Sequence, residues 1–271
     1  MKILIGISGG IAAYKIPELI RLFAKNGHEV RTILTDNAKY FVTPTTLETL
    51  SKNRCYTELF TDTREVEHIE LTKWADVMLV APATANVIGK IANGVCDDLL
   101  TTTIMALDKP CYIFPSINSN MYTHPSVHEN ITKLRDWGYI VYEPEQGELA
   151  CGDIGKGRLP ELEFIYEVVS SEVERANIGQ LLNKKNIVVT AGPTRAYIDP
   201  VRYIENASSG RMGVELARQA WLRGANVTLV CNQEVLNRYP WAKYYSDSLV
   251  TVTTTQDVYD KVAKMFSDVD I

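Results

Sequence analysis

A cysteine in a glycine-rich stretch is the first candidate for chemistry. The segment LACGDIGKGRLPE (149–161) places Cys151 among three glycines and two basic side chains. A free thiol in a loop contributes little to packing and is open to oxidation. The role of Cys151 therefore depends on which other groups the rest of the chain brings to the same place.

Two further segments have the residue types of ligand-binding turns. GISGG (6–10) ends a short apolar strand and precedes a helix, where glycines let backbone N–H groups approach an anion. It is not a GxGxxG motif, and a bare glycine turn has a similar sequence. APATAN (81–86) follows another apolar strand, and open α/β sheets bind ligands at the carboxyl ends of their strands. Its alternative interpretation is a strand-to-helix turn capped by Thr84.

The elements that position these turns alternate between strand and helix. Short β-rich runs predict strands at 2–7, 29–35, 76–83, 110–116 and 139–144. Helical spacing or glycine ends predict helices within 11–27, 84–94, 124–138 and 160–176. Alternation of this kind, with strands apolar on both faces, predicts a parallel sheet covered on both sides. The predicted fold class is α/β, with a flavodoxin-like or Rossmann-like parallel sheet.

The same pattern restarts after a short predicted linker, NIGQLLNKKN (177–186). Strands are predicted at 186–192, 226–232 and 249–255, with helices at 211–224 and 256–266. SDVDI (267–271) has the pattern of one more strand. We expect a first domain at 1–180 and a second, incomplete Rossmann-like domain at 186–271, and we expect the second domain to be truncated.

Composition excludes several classes of protein. The chain has 271 residues, 46% of them hydrophobic and 23% charged, as in a folded protein, and its net charge of −5 gives no reason to expect a nucleic-acid partner. No apolar run approaches the ~20 residues of a membrane helix. Five cysteines without CxxC spacing suggest neither a disulfide framework nor a zinc site, so we expect a reducing cytoplasm. His124 and His128 have Pro125 between them and no third ligand, so we expect no metal.

Five motifs in order give the sequence a family resemblance. GISGGIAAYK, VEHIEL, APATAN, PSINSNMY and ACGDIGKGR resemble the flavin-dependent cysteine decarboxylase family, in particular its members that act on phosphopantothenoylcysteine in coenzyme A biosynthesis. TAGPTRAYIDPVRYIENASSGRMG (190–213) resembles the opening of a phosphopantothenate–cysteine ligase. Together the two resemblances cover nearly the whole chain.

The first resemblance implies FMN and a redox decarboxylation. In the family, flavin oxidises the substrate's cysteine side chain to a thioaldehyde, carbon dioxide leaves, and reduced flavin returns the hydride to the ene-thiol that remains. The implied catalytic residues are His68, which moves a proton during thiol oxidation, Asn118, which grips the substrate carboxylate, and Cys151, which donates the final proton. The implied FMN-binding residues are Ser8, Gly9, Gly10, Thr35, Pro82, Ala83, Thr84 and Asn86.

Substrate contacts are implied for Asn118, Met121, Gly152 and Lys156. The family pattern usually has methionine where Ile117 stands and often tryptophan where Tyr122 stands. These departures keep an apolar contact and an aromatic contact, respectively.

The second resemblance implies a ligase that uses CTP and Mg. Asn206 matches the asparagine that acts on the acyl-cytidylate, whereas Ala196 replaces the family's usual glutamate. NASSGRMG (206–213) leads into a helix and is another candidate anion-binding start. The implied nucleotide loop consists of Gly192, Ser208, Ser209, Gly210 and Met212. In the form given, we expect this chain not to ligate, since the family's later nucleotide and dimer elements would follow residue 271.

Other functions remain open at this stage. They are a flavin decarboxylase of peptide C-terminal cysteine, a flavin prenyltransferase, and a non-catalytic, phosphatase-regulating relative. The resemblance also implies a homo-oligomer, built from trimers and possibly a dodecamer, whose flavin site a neighbouring subunit completes near His68. We expect a small-molecule substrate, no nucleic acid and no membrane.

Overall fold

The protein was analysed as a computed structural model, which describes residues 1–60, 66–148, 152 and 154–271. The chain divides into two compact units, Met1–Tyr166 and Glu167–Ile271. Cys151, the residue with the predicted acid role, lies outside the described residues. Each unit has its own parallel sheet, which confirms the predicted α/β class.

The first unit is built on a six-stranded parallel sheet. Its strands are β1 (Lys2–Ile7), β2 (Glu29–Leu34), β3 (Cys55–Tyr56), β4 (Val77–Ala83), β5 (Cys111–Pro115) and β6 (Ile140–Val141). They lie in the order β3-β2-β1-β4-β5-β6. All seven residues of β4 are buried, as its unbroken apolar sequence requires in a sheet covered on both faces. The strand order reverses between β1 and β4, and ligands bind at such a switch point.

Helices connect these strands. They are α1 (Ile16–Lys25), α2 (Pro44–Ser51), α3 (Glu67–Trp74), α4 (Ala85–Ala92), α5 (Leu99–Met105), α6 (Ser119–Tyr122), α7 (Pro125–Asp136) and α8 (Leu162–Asn177). The single helix predicted after β1 is instead a 3-10 helix, Ile11–Lys15, followed by α1. Pro17 explains the break, because proline has no N–H and is tolerated only in the first turn of an α-helix.

An antiparallel hairpin follows β6 and was not predicted. It consists of β7 (Glu145–Glu148) and β8 (Ile154–Arg158). A Cβ on Gly155 would lie 2.8 Å from Ser119 Cβ, and one on Gly157 would overlap the carbonyl of Ile117. Ile117 also donates its backbone N–H to the Gly157 carbonyl at 3.0 Å. Glycine is therefore required where β8 packs on the start of α6.

The second unit has a smaller parallel sheet with the order β13-β12-β9. Its strands and helices are β9 (Asn186–Ala191), the hairpin β10 (Ala196–Tyr197) and β11 (Tyr203–Ile204), α9 (Arg211–Leu222), β12 (Asn226–Cys231), α10 (Gln233–Arg238), β13 (Ser248–Thr251) and α11 (Thr255–Met265). The last residues run beside β9, since Val188 donates to the Ile271 carbonyl at 2.9 Å and Asp270 to the Asn186 carbonyl at 2.8 Å. No strand is assigned at 267–271, because Ser267 and Asp268 belong to a 3-10 helix, Phe266–Asp268, and only this pairing remains of the predicted strand.

The two compact units divide within α8, earlier than the predicted linker at 177–186. Ser171, in the second half of α8, shares a 2.8 Å hydrogen bond with the buried Tyr245 of the second unit. The domain bounds 1–180 and 186–271 stay a prediction. Within the described ranges, no helix is long and apolar enough to cross a membrane.

Candidate functional site

Ser8 holds the carboxyl ends of β1 and β4 together. Its side chain is fully buried, and its hydroxyl donates to the Pro82 carbonyl at 2.7 Å while accepting the Thr84 N–H at 3.0 Å. Thr84 in turn caps α4 by accepting from the Val87 N–H. The Ser8 hydroxyl has one hydrogen, which this contact uses. It therefore fixes the turn beneath the site, and the glycines that follow form the exposed part of the loop.

A cavity of about 580 Å³ opens at this switch point. We call it the switch-point cavity. Seven of the residues predicted to bind cofactor or substrate line it: Gly9, Gly10, Thr35, Thr84, Asn86, Asn118 and Met121. Other lining residues, among them Asn37, Lys90, Asp97 and Ser116, were not predicted from the sequence. Its volume lies in the range of small-molecule and cofactor sites, roughly 300–1,000 Å³.

Gly9 is required by the close approach of two loops. A Cβ on Gly9 would overlap the Asn37 side chain and lie 2.8 Å from the Asn37 carbonyl carbon. A Cβ on Gly10 would make only ordinary contacts, the nearest being Thr84 Cγ2 at 3.4 Å. The first glycine therefore packs the loop against the end of β2, and the second lies at the cavity surface. In the sequence the two glycines are equivalent, and only the tertiary contact separates their roles.

Asn118 enters the cavity as the N-cap of α6. Its Oδ1 accepts the Asn120 N–H at 3.0 Å, which fixes the orientation of the side chain. The preceding residue, Ile117, is buried and bonded to Gly157 of β8. The hairpin thus supports the backbone that carries Asn118.

The charged side chains of the cavity are paired. Lys90 Nζ lies 2.6 Å from Asp97 and 3.2 Å from Asp98. The hydrogen bond to Asp97 is the main cause that raises the pKa of Lys90, and the hydrogen bond from Lys90 lowers the pKa of Asp97. A negatively charged ligand at this switch point would therefore meet backbone N–H dipoles of the glycine loop rather than an unpaired lysine.

Several predicted residues do not line this cavity. His68 lies half-buried in the first turn of α3, and Pro82 and Ala83 are buried within β4. Lys156 is paired with Glu143 at 2.6 Å. Gly152 has a φ of +86°, with no heavy atom within 4 Å of the place a Cβ would take. The predicted roles of these residues stay predictions.

The second unit has its own glycine-lined turn. Gly192 and Gly210 have φ angles of +94° and +79°, and a Cβ on either would lie 2.5 Å from Val235 Cγ2. Ser208 and Ser209 accept the N–H groups of Gly210 and Arg211, each at 3.3 Å. These contacts form the start of α9 beside the end of β9.

The remaining predicted ligase residues, Asn206 and Met212, are exposed. Arg195, which the sequence analysis passed over, forms ion pairs with Glu205 and Glu234 near this turn. No cluster of three or more potential metal ligands occurs in the part of the chain that the structure describes.

Comparison with known proteins identifies both parts of the chain. The model of the family described as Flavoprotein matches residues 1–174, and the model described as DNA/pantothenate metabolism flavoprotein C-terminal domain matches residues 182–271. The coenzyme A biosynthesis bifunctional protein CoaBC of Bacillus subtilis (strain 168) is 41% identical over 272 aligned residues, which span the whole of this chain. The chain covers 66% of the length of that relative.

Solved structures resemble the first part of the chain. A cysteine-to-serine mutant of PPC decarboxylase, complexed with pantothenoylaminoethenethiol, has a TM-score of 0.58 and 33% identity, covering 64% of this chain and 98% of its own. The FMN binding protein AtHal3 has a TM-score of 0.55 and 34% identity, covering 62% of this chain and 94% of its own.

Proposed function

Because the chain belongs to the flavoprotein family, as its residues 1–174 match that family's model, we propose that it binds FMN in the switch-point cavity and decarboxylates 4'-phosphopantothenoylcysteine in coenzyme A biosynthesis. One observation carries the proposal. The cavity lies at the carboxyl ends of β1 and β4, and Gly9, Gly10 and Asn118 line it together. The similarity to PPC decarboxylase and to CoaBC supports the substrate.

The residues present fit FMN. Gly10 lies at the cavity surface without a side chain, and Gly9 packs closely against Asn37. The backbone N–H groups of this loop can therefore approach a phosphate closely. The single glycine loop of this cavity suits one phosphate rather than a pyrophosphate. Thr35, Thr84 and Asn86 supply hydroxyl and amide groups at the rim. When bound, FMN supplies the two-electron oxidation of the substrate thiol and the return of a hydride.

The chain's own groups bind and move protons around that chemistry. The neutral amide of Asn118 holds the substrate carboxylate without an ion pair that would stabilise it against leaving. His68 accepts or donates a proton during thiol oxidation, since an imidazole titrates near neutral pH. Cys151 donates the proton that, together with the returned hydride, completes reduction of the ene-thiol. His68 does not line the cavity of its own chain, so we propose that the flavin site is completed in a homo-oligomer built from trimers.

For residues 182–271 we propose a part of a CTP-dependent phosphopantothenate–cysteine ligase. The match to the C-terminal family model and the glycine turn at Gly192 and Gly210 support it. Asn206 acts on the activated acyl group in this proposal, and Mg accompanies CTP. The cytoplasm is the proposed location.

The test uses the purified chain. We expect a yellow protein from which heat releases FMN, and carbon dioxide release from 4'-phosphopantothenoylcysteine that depends on the flavin. A peptide with a C-terminal cysteine serves as the competing substrate. Release of a dinucleotide, carbon dioxide release only from the peptide, or a flavin-loaded protein that releases no carbon dioxide would each contradict the proposal.

A further inference from the structure

A second cavity, of about 570 Å³, adjoins the switch-point cavity. We call it the arm cavity. It lies between the 3-10 helix Ile11–Lys15, the segment 116–118 and the hairpin of β7 and β8. Ile11, Ser116, Ile117 and Asn118 line both cavities, so the two are continuous through Asn118. A ligand held at Asn118 can therefore extend from one cavity into the other.

Lys15 brings a cation into the arm cavity. Its side chain is half-buried, and no carboxylate of the described residues lies within ion-pair distance of it. An anion that binds beside an ammonium group at a cavity wall gives that group an electrostatic partner. The ammonium group at this wall indicates a ligand with negative charge.

Arg158, on β8, lines the same cavity. It forms an ion pair with Glu161 at 2.5 Å, which fixes its guanidinium while leaving further N–H donors on the fork. Among the lining residues that the structure describes, Glu148 is the one carboxylate, against two cations. The charges of the residues that line the arm cavity therefore favour binding of an anion near Lys15 and Arg158.

The apolar part of the lining suits a hydrocarbon chain. Ile11 and Tyr14 are 52% and 59% exposed, and both line the arm cavity together with Leu159. Exposed apolar side chains that line a cavity give up solvent contact when an apolar group enters. The arm cavity thus combines the polar Asn118, apolar side chains and two cations.

We propose that the arm cavity binds the phosphorylated arm of the substrate, with Lys15 and Arg158 on the phosphate and Ile11 and Tyr14 along the alkyl part. This rests on the proposed function, in which Asn118 holds the carboxylate of the cysteine end. The substrate has an anion at each end of an arm that carries methyl and methylene groups between its amides, and the two cavities together offer a polar amide, apolar side chains and two cations. Lys15 and Arg158 are then specificity-determining residues for a phosphomonoester.

The test compares substrates with and without the phosphate. Wild-type protein is assayed with 4'-phosphopantothenoylcysteine and pantothenoylcysteine, and its binding of 4'-phosphopantothenate and pantothenate is measured by calorimetry. We expect a preference for the phosphorylated ligands of about 10–100-fold, the range of hydrogen bonds to charged groups. In Lys15→Met this preference falls about tenfold or more, because only the phosphorylated ligand loses affinity.

Lys25→Met is the matched control, since Lys25 is an exposed lysine at the end of α1 that lines neither cavity. It should keep the wild-type preference. Three results would each overturn the proposal. In Lys15→Met, the two ligands could lose affinity equally or the FMN content could fall. In Lys25→Met, the preference for the phosphorylated ligand could fall as much as in Lys15→Met. A preference for 4'-phosphopantothenate in calorimetry that Lys15→Met removes, without decarboxylation by wild type, would support the phosphate site and contradict the proposed function.

Discussion

Tyr122 donates its hydroxyl hydrogen to the carboxylate of Glu143, with 2.7 Å between Oη and Oε2. Lys156 of β8 lies 2.6 Å from the same oxygen, and Arg135 of α7 lies 2.7 Å from Oε1. One carboxylate therefore joins α6, α7 and the hairpin strand that supports Asn118. Tyr122 stands where the family often has tryptophan. The tyrosine hydroxyl donates to Glu143, whereas a tryptophan at this position could donate only from its ring N–H, which lies at a different place on the side chain.

The acid stability of the first unit should depend on Glu143. Burial alone would raise the pKa of this carboxyl, but hydrogen bonds from Lys156, Tyr122 and Arg135 lower it from 4.5 to about 2. A folded-state pKa below the unfolded one gives stability that is complete above about pH 4.5 and lost as pH falls towards 2. The pKa shift corresponds to a contribution of about 3 kcal/mol to the free energy of unfolding. Solvent screening reduces this contribution to about 1 kcal/mol, because half of the Glu143 side chain is exposed.

We expect Glu143→Gln to lower the free energy of unfolding of the first unit at pH 7 and to differ much less from wild type at pH 3. Urea unfolding at both pH values measures this. Glu129→Gln, an exposed carboxylate on α7 with no ion-pair partner among the described residues, is the control. A Glu143→Gln deficit that stays constant from pH 7 to pH 3 would contradict the assigned pKa.

Gly9→Ala should lose FMN. The new methyl group would overlap Asn37 and lie 2.8 Å from its carbonyl carbon, so the loop must move away from the end of β2. Overpacking of this kind typically costs about 1–3 kcal/mol, and here it displaces the backbone that lines the cavity. The measurement is flavin content after purification, with Gly179→Ala as control because no atom lies within 4 Å of a Cβ there. Full flavin occupancy in Gly9→Ala would show that the loop contact is not needed.

His68 and Cys151 should separate the two halves of the reaction. With one equivalent of substrate under anaerobic conditions, Cys151→Ser should release carbon dioxide for about one turnover and stop with the flavin absorbance bleached. A serine hydroxyl is a poor acid at neutral pH, and loss of a positioned acid typically costs ~10²–10⁴-fold. His68→Asn should stop before carbon dioxide appears, with the flavin still yellow. Turnover by Cys151→Ser at near the wild-type rate would leave the thiol without a catalytic role.

Gly213→Ala should destabilise the second unit and leave the first intact. A Cβ at Gly213, in the first turn of α9, would lie 2.6 Å from Ala191 Cβ and 2.7 Å from the Thr190 carbonyl, so α9 must move off β9. We expect the free energy of unfolding of the second unit to fall by about 1–3 kcal/mol. Unfolding followed by the fluorescence of Trp221, which is buried in this unit, measures it, while FMN content reports on the first unit. Unchanged unfolding in Gly213→Ala would mean that α9 does not pack on β9 this closely.

Local patterns in the sequence were sufficient for the fold class and for the turns that carry the site. The apolar run at 76–83 predicted a strand covered on both faces, and Thr84 was recognised as a possible helix cap; the structure confirms both. These features depend on the residue types of near neighbours, since strand and helix periodicity and N-caps act over a few positions. The glycines of the 6–10 turn were found in the same way.

Contacts between distant residues were decided only by the tertiary structure. Ser8 and Pro82 are 74 residues apart, and their hydrogen bond exists because β1 and β4 are neighbours in the sheet. The family resemblance implied an FMN contact for Ser8, and that role stays a prediction; the structure shows that its hydroxyl donates to the Pro82 carbonyl. Tyr122 and Glu143 are 21 residues apart, and Lys15 lines a cavity with residues of a hairpin that no local pattern predicted. Periodicity identifies strands and helices but not their order in space, so the partners that give a side chain its role appear only when the sheet is assembled.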